Sequence, residues 1–134
     1  MRVKAIATKV DEVMRSAYGM NPSYESEWQV TVGKEYVVFS VECVPDSEVY
    51  GKVTLYRIID DYDRLMPAPA WLFQIIDHKV SKYWLADYQG IYFSLNPKEF
   101  IDNPFLTEEI LDRDVAAVNL FKELQNKFNL EQEV

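Results

Sequence analysis

One cysteine, one histidine, four scattered glycines and no long apolar run set the first limits on this 134-residue chain. A single Cys43 excludes an intramolecular disulfide framework. It stands in an apolar, strand-like run, where a free cysteine ordinarily packs as a small hydrophobe. A nucleophilic cysteine needs a base and an electropositive setting, and His78 lies far from it in sequence. One histidine and one cysteine also cannot supply a zinc site. Gly19, Gly33, Gly51 and Gly90 stand apart, so no glycine-rich loop is present to cradle phosphate, and no serine occupies a nucleophile elbow. No catalytic residue, metal site or cofactor is expected. Nowhere do about 18 apolar residues run together, as a membrane span requires. The opening MRVKAIATKVDEV lacks the apolar core of a signal peptide, so the expected compartment is the cytoplasm, with no membrane partner.

Positive charge is scarce as well. The chain carries 14 Lys and Arg against 22 Asp and Glu, a net charge of −8. Nucleic-acid affinity rests on cations facing phosphates, and no basic stripe exists, so DNA and RNA are excluded as expected partners. The acidity is uneven: residues 101–134 hold eight acidic and three basic groups, whereas residues 51–100 hold six of each. Such a surface either keeps the protein dissolved or steers a basic protein partner, with an attraction that salt weakens.

Apolar residues make up 49% of the chain and charged residues 27%, as in an ordinary globular protein, and the length predicts one domain over residues 1–134. Residues 2–7 alternate weakly and predict a short strand. Val10, Val13, Met14, Ala17 and Tyr18 then fall on one helical stripe, with Thr8 and Asp11 as an acidic capping box and Gly19 as the stop. Residues 20–27 predict a polar loop. Residues 36–44 (YVVFSVECV) predict a strand with Val37, Phe39, Val41 and Cys43 on one face, broken at Pro45. Residues 52–59 predict the next strand, and residues 60–63 (DDYD) a turn. Pro67 and Pro69 restrict the following segment to a sheet edge. Residues 83–88 and 91–95, parted by Gln89 and Gly90, predict a hairpin. Asn96 and Pro97 start a short helix, Pro104 interrupts it, and a second helix is predicted from about residue 105. In that helix Leu111, Val115 and Val118 hold helical spacing, as does the set Ala117, Phe121, Leu124 and Phe128. Asp112 or Asp114 is placed to cap a segment. Residues 129–134 are expected to fray. The fold class is therefore α+β: a small, strongly bent antiparallel sheet or a small barrel, with an N-terminal helical insert and a C-terminal helix.

Two groups of residues invite a binding role. Asp60, Asp61 and Asp63 first suggest a cation loop, but an EF-hand-type loop needs glycine at position six and glutamate at position twelve. Counted from Asp61 those positions are Met66 and Leu72, and from Asp60 they are Leu65 and Trp71, so the segment reads as a turn. Trp71, Trp84, Pro67 and Pro69 are the apolar patch candidates; an exposed tryptophan near the acidic turns is an anchor for a protein partner, and a buried one is a core residue.

The order RVKAIAT, VGKEYVV, YRIIDD, PAWLFQIID, Trp84 and EEILDRDVAAVNLF resembles a family of small bacterial proteins with a Src-homology-3-like small barrel, similar to candidate immunity proteins found beside polymorphic or contact-dependent toxins. Residues 8–30 depart from that pattern, and each shared motif is structural, so no catalytic residue is carried over. The resemblance implies a non-enzymatic, cytoplasmic, protein-binding module that neutralises a toxin, the partner being a basic toxin domain. It points to Asp60, Asp61, Asp63 and to Glu108, Glu109, Asp112 and Asp114 as the first contacts. Two other expectations stand beside it. A small-molecule-binding or enzymatic barrel requires a deep pocket on which His78 or paired carboxylates converge, and a phage or structural accessory protein requires self-assembly.

Overall fold

The computed structural model describes residues 1–19, 27–47 and 51–133. It is α+β, with two antiparallel sheets and helices at its C-terminal end. Strands β1 (Arg2–Ala5), β2 (Glu35–Val37) and β6 (Phe73–Asp77) form a three-stranded sheet in the order β2-β1-β6. Strands β3 (Ser40–Ser47), β4 (Gly51–Ile59), β5 (Leu65–Pro69), β7 (Trp84–Gln89) and β8 (Tyr92–Pro97) form a five-stranded sheet in the order β5-β4-β3-β8-β7. Helix α1 is Glu12–Tyr18, α2 is Lys98–Asp102, α3 is Leu106–Leu111 and α4 is Val115–Gln132. Among the described residues neither sheet closes into a barrel.

The predicted strand over residues 36–44 is in fact two strands in two sheets. The handover falls on consecutive residues: Val38 N–H donates to the Met1 carbonyl at 3.2 Å, and Phe39 N–H to the Arg57 carbonyl at 2.9 Å. Both side chains are buried, so the apolar run does not alternate faces at this point but sinks into the core between the sheets. Pro45 does not end β3, which runs on to Ser47 through a register shift after Val44. A bulge of this kind accommodates an irregular residue in an otherwise regular ladder.

The turns and caps follow from local chemistry. Asp11 itself caps α1 by accepting from Met14 N–H at 2.8 Å, and Gly19 closes the helix with φ 71°. Thr8 is therefore not the cap; its hydroxyl donates to Glu27 at 3.3 Å. Val10 is buried, but Val13 is 78% exposed, so the stripe predicted for α1 is only partly covered. The predicted loop over residues 20–27 lies almost wholly outside the described residues. Pro67 and Pro69 do sit on an edge strand, β5. Trp71 lies in a single 3₁₀ turn, Ala70–Leu72, that leads into β6. The hairpin β7–β8 has Gly90 and Ile91 as its two central residues, and Gly90 takes φ 64°, as a type II′ turn demands at its first position.

A hydrophobic cluster joins residues of both sheets, α3 and α4. Ala117, Phe121, Leu124 and Phe128 are all buried, as their spacing predicts. Phe39 meets Phe121 edge-on at 5.3 Å and Phe128 at 5.2 Å, while Tyr83 stacks on Phe128 at 5.6 Å. Each such pair adds about 0.5–1.5 kcal/mol beyond simple burial. The last turn of α4 does not fray before Gln132. Glu131 accepts from the Ser81 hydroxyl at 2.8 Å and from Lys82 N–H at 2.7 Å, which ties the helix end to the segment before β7.

Candidate functional site

The acidic turn between β4 and β5 is largely consumed by the fold. Asp60 is 7% exposed, and its Oδ1 accepts from the backbone N–H of Tyr62 and of Arg64, each at 3.0 Å. Its Oδ2 accepts from Arg64 Nε at 3.2 Å and Nη2 at 3.0 Å. A buried carboxylate is tolerated only with this kind of full pairing. Asp61 bonds across to β2 and the segment before it. Its carboxylate accepts from the Thr31 hydroxyl at 2.6 Å, Lys34 Nζ at 2.7 Å and the Tyr36 hydroxyl at 2.8 Å. The hydrogen bonds from Lys34 and then Thr31 hold the Asp61 carboxyl below the usual carboxylate range. The same bond raises Lys34 above its ordinary value, and burial raises Tyr36. Asp63 takes φ 58° at the turn and is exposed; among the described residues its carboxylate makes no hydrogen bond or ion pair. Of the three acids, it alone is uncommitted.

The two tryptophans divide. Trp84 is 9% exposed and donates from Nε1 to the Phe39 carbonyl at 2.9 Å, a core role that leaves no exposed indole to anchor a partner. Trp71 is half-buried and lines an apolar groove of about 770 Å³ with Cys43, Val53, Thr54, Ala70 and Ile91. His78 and the carboxylates are not among the residues lining that groove. His78 is exposed after β6, in the other sheet from Cys43, whose sulfur faces the Thr54 hydroxyl at 4.0 Å.

The four C-terminal acids sit where α3 meets α4, and they also divide. Asp114 caps α4 by accepting from Ala117 N–H at 3.0 Å, and Glu109 accepts from Asn103 Nδ2 at 3.1 Å. Glu108 and Asp112 are exposed and, among the described residues, form no ion pair. The corner itself is a Schellman-type turn. Asp114 N–H donates to the Glu109 carbonyl at 3.0 Å and Arg113 N–H to the Ile110 carbonyl at 3.1 Å. Arg113 holds φ 64° there, a position that glycine usually fills.

This break explains an exposure that the sequence did not predict. Leu111 and Val115 have helical spacing, but the chain turns between them, and they end 44% and 73% exposed. Phe105, at the start of α3, is 62% exposed, while Leu106 and Ile110 face the core. Three large apolar side chains thus stand beside the two uncommitted carboxylates Glu108 and Asp112. The signal for them was a second apolar set, Leu111, Val115 and Val118, in excess of the one stripe that α4 buries.

No family model matches the chain, and searches against curated proteins and against solved structures find no match. Among the described residues, no helix is long and apolar enough to cross a membrane.

Proposed function

We propose that this chain is a non-enzymatic protein-binding module, and in its sharpest form a cytoplasmic immunity-type protein that neutralises a toxin domain with a basic face. The supporting observation is the α3–α4 corner, where exposed Phe105, Leu111 and Val115 stand beside the uncommitted acids Glu108 and Asp112. Apolar anchors on a corner where the acids Glu108, Glu109, Asp112 and Asp114 outnumber one base, Arg113, suit a partner of opposite charge: the anchors supply affinity, and the carboxylates speed encounter. Asp63 adds a further free carboxylate on another turn, while Asp60 and Asp61 support the fold that presents it. On the fold, the reading goes with a Src-homology-3-like relation between the two sheets. The handover at Val38 and Phe39, which sets strands of both sheets around one hydrophobic cluster, supports it.

The test pairs the chain with a toxin domain encoded next to it. Co-expression is expected to rescue growth, and the two proteins to co-purify at low salt. Glu108→Lys with Asp112→Lys is expected to slow association by about tenfold or more at low salt, with the difference shrinking as salt rises. Failure of the wild-type chain to rescue, or rescue by a variant that no longer binds, overturns the immunity reading.

The groove beside Trp71 supports a second reading, a small-molecule site, because its volume lies in the usual range for one. Among the described residues its lining carries no carboxylate or histidine; Lys52 and Cys43 are its titratable side chains. Chemical-shift changes confined to Trp71, Thr54 and Ile91 on screening small apolar ligands would favour it over the α3–α4 corner.

A further inference from the structure

Among the described residues the two sheets present four edges, β2, β6, β5 and β7, and three of them are poor templates for another strand. β2 is three residues long, and its Glu35 is held by Arg2 at 3.1 Å. β6 shifts register against β1 and ends at Asp77. β5 carries Pro67 and Pro69, which lack the N–H that an added strand would need. β7 has none of these devices. Its six residues, Trp-Leu-Ala-Asp-Tyr-Gln, pair one-to-one with β8 without a bulge, and contain no proline or lysine. Natural proteins blunt long regular edges with such devices unless the edge is used.

The side chains around this edge point the same way. Leu85, Tyr88, Ile91, Tyr92 and Phe93 are 49%, 69%, 58%, 47% and 39% exposed, on one hairpin. Asp87 is the only charged residue between positions 84 and 95, in a chain that is 27% charged. The hairpin is therefore the part of this strongly acidic molecule where a second, equally acidic copy meets least repulsion.

We infer that β7 is a self-pairing edge, through which two copies of the chain join antiparallel to make one continuous sheet. A two-fold axis through the sheet keeps each face on its own side, so only residues of the same face oppose one another. Trp84, Ala86 and Tyr88 share one face; Leu85, Asp87 and Gln89 share the other. An axis on Asp87 would set two carboxylates opposite each other. An axis on Ala86 avoids that, setting Trp84 opposite Tyr88 of the second copy and Leu85 opposite its Asp87. At roughly 200 Å² per large side chain, the five exposed residues offer at most about 500 Å² of apolar surface per copy. Counted over both copies this is close to the lower limit for a specific interface, so the dimer is weak and depends on concentration. The inference does not depend on the toxin reading, which uses the α3–α4 corner.

Light scattering and sedimentation over a dilution series from low micromolar to millimolar protein test it. The wild-type chain is expected to pass from monomer to dimer, and the amides of β7 to exchange more slowly in the dimer. Leu85→Lys and Tyr88→Lys, both at exposed positions, are expected to remain monomeric over the same range, with the melting temperature of the dilute wild type. Val115→Lys is expected to dimerise normally. A wild-type chain that stays monomeric at millimolar concentration overturns the inference, as does a dimer that survives both lysine variants or is lost in Val115→Lys. A monomer whose β7 amides are protected only by an added extended peptide of different sequence would also overturn it, in favour of strand addition by a partner.

Discussion

Replacing Asp61 with alanine separates acids that build the fold from acids available to a partner. The carboxylate receives three hydrogen bonds, from Thr31, Lys34 and Tyr36, and its side chain is 25% exposed. The Lys34 arm is 53% exposed, so screening limits it to about 0.5 kcal/mol. The Thr31 and Tyr36 hydroxyls contribute about 1 kcal/mol each, the typical net value for a protein hydrogen bond. Tyr36 retains the Thr31 amide at 2.8 Å, which limits the loss at its hydroxyl. The expected cost is about 2 kcal/mol, a fall of roughly 6–10 °C in melting temperature for a chain of this size. Urea titration at neutral pH measures it. The pH dependence carries a sign. Because the folded-state pKa of Asp61 is lowered, its stabilisation is complete above the ordinary aspartate range and is lost as pH falls through the lowered value. The gap between wild type and Asp61→Asn is therefore expected to close on acidification. An alanine variant with an unchanged urea midpoint, or a gap that widens at low pH, would refute the assignment of Asp61 to the fold.

Three further outcomes are expected. Trp84→Phe removes the donor to the buried Phe39 carbonyl and should cost about 2 kcal/mol in urea unfolding, while leaving partner affinity unchanged. Arg113→Gly relieves the left-handed backbone at the α3–α4 corner and should raise stability by about 0.5–1 kcal/mol in the same assay. Glu131→Ala frees the end of α4 from Ser81 and Lys82, and hydrogen exchange of the last helical turn should accelerate without global unfolding.

Much of the secondary structure was legible along the chain because its signals are local. Gly19, the proline pair on β5, the turn at Asp60, the Gly90 hairpin and the buried face of α4 each depend on residues within a few positions of one another. The failures have a common cause. Residues 36–44 alternate well enough for one strand, and only packing between two sheets turns Val38 and Phe39 inward together. Leu111 and Val115 keep helical spacing across a break made by backbone bonds at Arg113 and Asp114. The roles of the acids were the least legible. Asp60 and Asp61 look alike in sequence, yet one is held by its own turn and the other by a segment some thirty residues earlier.

The sequence by itself determined the acidity, the lack of a disulfide framework, and an α+β order of short strands followed by helices. Composition and near-neighbour chemistry are sufficient for those. Tertiary structure alone decided that the strands divide into two open sheets. It also decided that Trp84 is interior, that Glu108, Asp112 and Asp63 are, among the described residues, the uncommitted ones of the seven candidate acids, and that one edge, β7, is left unguarded. Each of these depends on which distant residues meet, because burial and hydrogen-bond pairing are properties of the packed chain and not of any segment of it.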